Sequence, residues 1–285
     1  MLRAPVLAAV CLGWGTIPLL VAETALPPAA IAFSRVTIAA TGLAVIVALV
    51  RPAGPALLAE QPVRCLVSGV VLAAHWTAMF AAFERAPADT VIFLIFLAPV
   101  AIAAIERPGR ALVVALAPAL AGLVLIAAPR LEGNAVGVGY AVAAAVLFVV
   151  LILLSKPLAE VYGGLRLTLL ETAIAAVALA PFAATADWGR PFAGWWWLLV
   201  LGLVHTAVGT GVYLWALAQL PATEVGILGY LEPVGVVLFA WLASADEPPA
   251  STLLGGALVV VAGTLAIRSN VERPREEVAV GAPAR

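Results

Sequence analysis

Four ionisable side chains lie inside long apolar stretches of this chain: His75, Glu171, His205 and Glu232. An ionisable group in the middle of a membrane helix is costly, so it usually faces a partner or a water-filled cavity. With about 1.5 Å of rise per residue, each of the four lies roughly 10 to 16 Å from the nearer end of its stretch. The four side chains can therefore meet at mid-depth, where carboxyl and imidazole groups can bind and exchange protons.

Glu232 is the strongest candidate because it stands directly before Pro233. A proline ring removes a backbone hydrogen bond and leaves a carbonyl free nearby. Gly229 and Gly235, at i−3 and i+3, favour close helix packing at the same place. Two roles stay open, a carboxylate that binds a proton or a substrate amine and a carboxyl group that bridges two helices. Pro99 also lies in an apolar stretch, and both prolines are candidates for kinks or gating joints.

The two histidines are single residues on different helices. Neither has a second His, Cys or Asp at i+3 or i+4, so the spacing does not predict a metal site. For a lone buried histidine we favour a hydrogen-bonded structural role over a proton relay. His205 shares one face of its predicted α-helix with Gly209 and Tyr213, at i, i+4 and i+8. This face can line a pocket or pack against a neighbour.

These residues are positioned by ten apolar stretches of 17 to 24 residues. About 20 apolar residues suffice to cross the hydrocarbon core of a bilayer. The chain is 64% hydrophobic and 11% charged, whereas an average soluble domain has about 25% charged residues. We therefore predict an all-α integral membrane protein with ten transmembrane helices. Their expected bounds are 4–22, 29–50, 63–83, 89–105, 111–128, 135–155, 163–184, 194–217, 222–243 and 251–268.

Basic residues predict the orientation. If the N-terminus is inside, eleven of the 15 Lys and Arg residues lie on the inner side and only Arg85, Arg130 and Arg190 on the outer side. The positive-inside rule then places both termini in the cytoplasm. We expect the chain to lie in a bacterial inner membrane. The last basic residue, Arg35, falls about six residues below the outer surface in helix 2, and we favour an interfacial anchor over an anion-binding role for it. Residues 269–285 are predicted to form a disordered cytoplasmic tail.

The chain also contains two related halves. The segment 83–88 before helix 4 matches 217–222 before helix 9 at an offset of 134, and the same offset carries Pro99 onto Pro233. Beyond these prolines the offset becomes 141, which indicates a seven-residue deletion near the end of helix 4.

Each half would hold five helices, and an odd number forces the second half into the membrane upside down. We predict a first repeat over residues 1–130 and a second over 131–268. Inverted repeats of this kind are typical of transporters, with the substrate site near the midplane between the halves.

Further short motifs are spread along the helices. They are Trp14-Gly15-Thr16, Arg35, Pro87-Ala88, Pro99, Glu106, Leu231-Glu232-Pro233, Glu247, Gly255, Gly256 and Gly263. In this order and spacing, over residues 5–268, they resemble the EamA-type transporters of the drug/metabolite transporter superfamily. The shortened first copy is similar to the branch that contains threonine and homoserine exporters.

The resemblance implies a secondary carrier for an amino acid, another small metabolite or a drug. It implies a pocket enclosed by helices 1, 3, 4, 6, 8 and 9, of which the residues alone support only 3, 8 and 9, and it adds Trp14 to the candidate site. We expect a small-molecule substrate, efflux by alternating access, protons as a candidate coupling ion, and a monomer or homodimer in the bilayer. The substrate, the direction, the coupling ion and the oligomeric state stay open.

Other function classes have little support in the sequence. It contains no phosphate loop, Gly-x-Ser-x-Gly elbow, His-Glu-x-x-His or paired-Cys motif, so we expect neither an enzyme nor a cofactor. It has no basic patch that predicts nucleic-acid binding. A membrane assembly or sensor protein that retains the fold is the alternative. An intramembrane enzyme would need a nucleophile, such as Ser155 or Thr210, near a histidine.

Overall fold

The computed structural model describes residues 2–24, 26–127, 134–188, 194–244 and 247–271, and every regular element in these ranges is helical. In chain order the elements are α1 (Arg3–Trp14), α2 (Ile17–Thr24), α3 (Pro28–Val50), α4 (Pro62–Phe83), α5 (Ala88–Ile95), α6 (Ala98–Glu106), α7 (Arg110–Ala127), α8 (Ala135–Ala184), α9 (Trp195–Leu199), a π-helical segment (Val200–Thr210), α10 (Gly211–Leu217), α11 (Ala222–Gly229), α12 (Leu231–Ser244) and α13 (Ala250–Val271).

Eight helical segments of the described chain are long and apolar enough to cross a membrane. Three of them join neighbouring elements: α1 with α2, α9 through α10, and α11 with α12. The apolar segment Thr90–Glu106 is shorter. The predicted all-α membrane class is therefore confirmed. Residues 272–285, most of the predicted tail, lie outside the described residues, as do Arg130 and Arg190.

Helix α8 contains 50 residues and breaks at Gly163. A straight helix of that length would extend about 75 Å, more than twice the ~30 Å hydrocarbon core. Gly163 has φ 72° and ψ 162°, a left-handed φ that glycine adopts without strain. The sequence predicts two helices here, and the break lies at the predicted start of the second. The first continues to the break, beyond its predicted end at Ser155.

Predicted helix 1 is broken into α1 and α2. Two further predicted helices are broken near their middles: helix 4 consists of α5 and α6, and helix 9 consists of α11 and α12. Pro99 and Pro233 stand in the first turns of α6 and α12, where backbone N–H groups have no intrahelical acceptor. Each helix break therefore lies within a few residues of its proline, and the role of Pro99 and Pro233 as gating joints stays a prediction.

The two broken segments match each other at the predicted offset of 134. Helices α5 and α11 both have eight residues, and each follows a proline, with φ −56° and ψ 141° at Pro87 and φ −55° and ψ 140° at Pro221. The breaks themselves touch: the Tyr230 hydroxyl donates a 2.7 Å hydrogen bond to the Phe96 carbonyl, and the ring centroids are 5.9 Å apart. The offset read from the sequence thus aligns two helix starts and two helix breaks.

The predicted helix 8 is not α-helical throughout, because its centre is the 11-residue π-helical segment. Each π-helical N–H bonds the carbonyl five residues earlier, and such segments are frequent at functional sites. The side chain of Thr206 also bonds the carbonyl five residues earlier, because its Oγ1 donates to Leu201 at 2.8 Å.

Close packing joins the first and ninth predicted helices. Gly15 lies between α1 and α2, and its missing Cβ would fall 2.2 Å from the carbonyl carbon of Gly235 in α12. A Cβ on Gly235 would fall 2.1 Å from the Leu12 carbonyl oxygen. Only glycine fits at either position. This contact holds the break between α1 and α2 against the turn of α12 that follows Glu232.

Candidate functional site

A cavity of about 230 Å³ lies where the broken helices meet. All six side chains that the sequence nominates for binding or coupling are in its wall, together with one of the two prolines: Trp14, His75, Glu171, His205, Tyr213, Glu232 and Pro99. Pro233 is buried directly after Glu232. The remaining wall is mostly apolar and aromatic and includes Leu72, Trp76, Phe96, Phe148, Leu151 and Ile152. The geometry brings the nominated residues together, while their roles remain predictions.

The elements around the cavity extend the predicted list. Predicted helices 1, 3, 4, 6, 8 and 9 all contribute side chains. These are the helices expected to form most of the enclosure, and Arg35 from helix 2 and Glu171 from helix 7 contribute as well.

Glu232 lies in the first turn of α12, where the N-terminal end of the helix dipole favours a negative charge. Its side chain is half-buried and lines the cavity. Among the residues that the structure describes, none makes a hydrogen bond or an ion pair with this carboxyl group. Glu232 can therefore take a proton or a cationic ligand without giving up a protein partner.

Glu171 is in a different environment, although it lines the same cavity. It is buried, and its Oε1 accepts hydrogen bonds from Ser68 at 2.5 Å and from Ser155 at 2.6 Å. The two serine oxygens are 3.2 Å apart. This cluster ties α4 to both halves of α8. These contacts favour a helix-bridging role for Glu171, which is the role that the sequence left open for Glu232.

His75 is held in the cavity wall by a backbone carbonyl and an aromatic ring. Its Nδ1 lies 2.8 Å from the Ala144 carbonyl, and since a carbonyl only accepts, Nδ1 carries the hydrogen. The ring packs on Phe148 with centroids 5.2 Å apart. The hydrogen bond satisfies Nδ1, and no residue of the described chain bonds Nε2. A hydrogen-bonded histidine is what we favoured from the sequence.

His205, Trp14 and Tyr213 form one aromatic wall. The Trp14 indole N–H donates to the His205 carbonyl at 3.0 Å, and its ring stacks on Tyr213 at 5.7 Å. The hydroxyl of Thr16 lies 3.2 Å from His205 Nε2. Gly209 makes room for the indole, because a Cβ there would come within 2.5 Å of Trp14 Nε1. The predicted face of helix 8 therefore does line the pocket, despite the π-helical backbone.

Arg35 was misinterpreted from the sequence. It is only 6% exposed and lines the cavity instead of reaching the membrane surface. Its guanidinium carbon stands 4.7 Å from the ring centroid of Trp76, and its Nε donates to Thr206 Oγ1 at 3.3 Å. The interfacial-anchor interpretation was wrong because aromatic and hydroxyl partners on two other helices hold the side chain inside the bundle.

The described ranges contain no metal-binding cluster, and neither Ser155 nor Thr210, the two nucleophiles considered above, forms a hydrogen bond with a histidine in them. No group of three or more His, Cys, Asp or Glu residues in them could hold a metal ion. Ser155, the nucleophile considered for an intramembrane enzyme, donates to Glu171.

Comparison with known proteins identifies the family. The EamA-like transporter family matches residues 135–268. A probable terminal-alkyne amino-acid exporter of Streptantibioticus cattleyicolor is 30% identical over 270 residues, which cover 87% of this chain and 86% of the relative. The chain belongs to the EamA-like transporter family. The resemblance found in the sequence is confirmed.

Two further comparisons fit this EamA-like transporter. An uncharacterized transporter of Archaeoglobus fulgidus is 24% identical over 197 residues, 68% of this chain and 72% of the relative. A crystal structure at 22% identity superposes with a TM-score of 0.79 and covers 93% of this chain and 98% of that chain. The fold is thus shared with a solved structure, and the protein is a multi-pass membrane transporter.

Proposed function

We propose that this EamA-like protein exports a small amino acid or a similar metabolite by alternating access. The observation that carries the proposal is the central cavity, which contains a carboxyl group without a protein partner among the described residues, at the point where two broken helices touch. Broken helices near mid-depth are a recurrent feature of transporter substrate sites. The volume of about 230 Å³ suits a metabolite, since pockets for drug-sized ligands measure about 300–1,000 Å³.

The proposed architecture has ten crossings in two inverted repeats, residues 1–130 and 131–268. The offset of 134 between α5 and α11 supports the repeat, and the break at Gly163 supports counting α8 as two crossings. The excess of basic residues on one side supports cytoplasmic termini. The proposed location is a bacterial inner membrane. Five crossings per repeat would relate the halves by an axis in the membrane plane.

The proposed direction and substrate class draw on the relative named as a probable terminal-alkyne amino-acid exporter. The cavity wall supports a cargo with both charged and apolar parts. It offers Arg35 and Glu232 as charged groups and Phe96 and Phe148 among its apolar surfaces. An entirely apolar cargo would leave both charges without a partner in a poorly solvated site.

In this proposal Glu232 couples transport to protons. A carboxyl group that faces the cavity can be protonated from whichever side the cavity opens to. The bound proton removes the negative charge that would otherwise attract a substrate ammonium group. Proton entry can thereby promote release of the cargo.

Glu232→Gln tests this proposal because the amide keeps the shape of the side chain but does not titrate. Comparison of metabolites in the medium of cells that overproduce the protein and cells that lack it first identifies a cargo. Efflux of that cargo is then measured in proteoliposomes with and without an imposed pH gradient. We expect Glu232→Gln to fold normally and to lose either transport or its response to the gradient.

The matched control is Glu84→Gln, because Glu84 is exposed and pairs only with its neighbour Arg85 among the described residues. This control should keep full transport and full response to the gradient. If Glu232→Gln behaves like the control from mildly acidic to mildly basic pH, Glu232 is not the coupling residue.

The alternative of a non-transporting assembly or sensor protein predicts a packed bundle without a polar cavity. The carboxyl group of Glu232 and the cavity around it favour transport.

A further inference from the structure

Arg35 carries a positive charge into the interior of the bundle. It lies seven residues into α3, which at about 1.5 Å per residue corresponds to a depth of roughly 10 Å. Only 6% of its surface is exposed. A charged side chain in such a place is costly unless it meets an opposite charge.

The protein orients this guanidinium but does not neutralise it directly. Among the residues that the structure describes, no carboxylate oxygen lies within 4.0 Å of an Arg35 nitrogen. Nε donates to Thr206, whereas neither Nη group has a hydrogen-bond partner in the described chain, and Arg35 lines the cavity. The planar Nη pair is the part of arginine that fits a carboxylate with two parallel hydrogen bonds.

The π-helical segment takes part in this orientation. The hydroxyl hydrogen of Thr206 is used on the Leu201 carbonyl, five residues earlier, so its oxygen is free to accept from Arg35 Nε. The guanidinium carbon lies over the Trp76 ring, 4.7 Å from its centroid. The hydrogen bond at Nε and this ring contact together restrict where the Nη pair can lie.

The cavity also contains the complementary charge. Glu232 lines the same space, and among the described residues its carboxyl group forms no direct ion pair with Arg35. A ligand that carries both charges can therefore bridge the two groups. A dianion such as phosphate is disfavoured, since one guanidinium would have to hold it in a wall that contains two carboxyl groups.

We infer that Arg35 binds the carboxylate of the substrate through its Nη groups, that Glu232 faces the substrate ammonium, and that Thr206 and Trp76 are positioning residues for Arg35. This inference rests on the proposed transport function. The cargo is then a zwitterionic α-amino acid whose uncharged side chain contacts the apolar wall around Leu72 and Phe148.

Matched ligand sets test the inference on the purified full-length protein. One set is L-leucine, isoamylamine, which lacks the carboxylate, and isocaproate, which lacks the amine. The second is L-phenylalanine, phenethylamine and phenylpropanoate, and the other proteinogenic amino acids extend the series. We expect the wild type to bind its preferred amino acid about 10- to 100-fold more tightly than the matched amine, as a charged hydrogen-bonded pair implies.

Variants test separately how the protein recognises the carboxylate and the ammonium group of the ligand. Arg35→Gln should bring the affinity for the amino acid close to that for the amine. Arg35→Lys should keep part of the preference, because an ammonium group carries the charge without the planar pair of donors. Glu232→Gln should reduce the preference over the matched carboxylic acid and leave the preference over the amine.

Substitutions of Thr206 provide a second test of the inference if Arg35→Gln does not fold. Thr206→Val removes the acceptor for Nε and should weaken binding of the amino acid but not of the amine, while Thr206→Ser should restore wild-type binding. The control is Thr264→Val, which removes an exposed hydroxyl that bonds its own helix in α13. A purely structural role of Thr206 would change both affinities together.

The outcomes distinguish this inference from the proposed function. If the protein exports a cargo but Arg35→Gln and Thr206→Val keep the wild-type ratio of affinities, the inference is wrong and the transport proposal stands. If no amino acid binds the wild type while other metabolites are exported, the assigned class is likewise wrong. If no metabolite is exported, the proposed function fails.

Discussion

Gly235→Ala tests the packing that positions Glu232. The added Cβ would lie 2.1 Å from the Leu12 carbonyl oxygen and 3.2 Å from Gly15 Cα. A carbon–oxygen contact normally measures about 3.3 Å or more, so the shortfall is roughly 1.2 Å. Both neighbours are backbone atoms, and no side-chain rotation can relieve the clash. The segment formed by α1 and α2 must therefore move away from α12.

Overpacking of this kind costs about 1–3 kcal/mol of stability. At an open helical site the same substitution stabilises by about 0.5–1 kcal/mol, because alanine is the better helix former. Gly139→Ala in α8 is the matched control, since an added Cβ there would have no described atom within 4 Å beyond its own helical backbone. The two variants should differ by ~1.5–4 kcal/mol. At about 2–4 °C per kcal/mol, Gly235→Ala should melt at least ~3 °C below Gly139→Ala.

Thermal unfolding in detergent, followed by tryptophan fluorescence, measures this difference. Transport should fall with stability in Gly235→Ala, because Glu232 lies one turn before the displaced residue and shares its helix. Equal melting temperatures of Gly235→Ala and Gly139→Ala would refute the contact between the two helices. A destabilised variant with wild-type transport would refute the link between this contact and the site.

Two further predictions concern orientation and helix capping. In a cysteine-free background, Arg85→Cys should react with an impermeant thiol reagent from outside and Arg51→Cys should not; the reverse pattern would overturn the proposed topology. Glu106 accepts three hydrogen bonds of 2.6–2.8 Å from the first residues of α11, so Glu106→Ala should cost about 1–2 kcal/mol in thermal unfolding. Glu84→Ala on the exposed surface serves as its control, and an unchanged melting temperature in Glu106→Ala would show that the cap contributes nothing.

Hydropathy made the helices predictable from the sequence. A membrane span must be apolar over about 20 residues and must satisfy its own backbone, so composition marks both its presence and its ends. The predicted end at Phe83 and the predicted start at Ala222 coincide with those of α4 and α11. The offset of 134 was equally visible, because the duplicated residues Pro87 and Pro221 form the same N-terminal turn.

The interior of the bundle was less predictable. A π-helical segment replaces the usual backbone bonds with bonds one residue longer, and apolar composition carries no sign of that choice. Arg35 was assigned to the surface because its distance from the helix end allows snorkelling. Trp76 and Thr206, which hold it inside, are far away in sequence. Their meeting depends on how α3 packs against α4 and the π-helical segment.

Glu171 and Glu232 have the same sequence signature, a carboxyl group inside an apolar helix, and only their surroundings separate them. Two serine hydroxyls donate hydrogen bonds to Glu171, so a change in the charge of Glu171 would disturb contacts that join α4 to α8. Glu232 has no such contacts in the described chain and stands two residues after Tyr230, whose hydroxyl bonds the backbone at the other helix break. A change of charge at Glu232 therefore acts directly beside the point where the two broken segments touch. Binding and rearrangement can be coupled there because the groups that sense the ligand and the backbone that must move are neighbours.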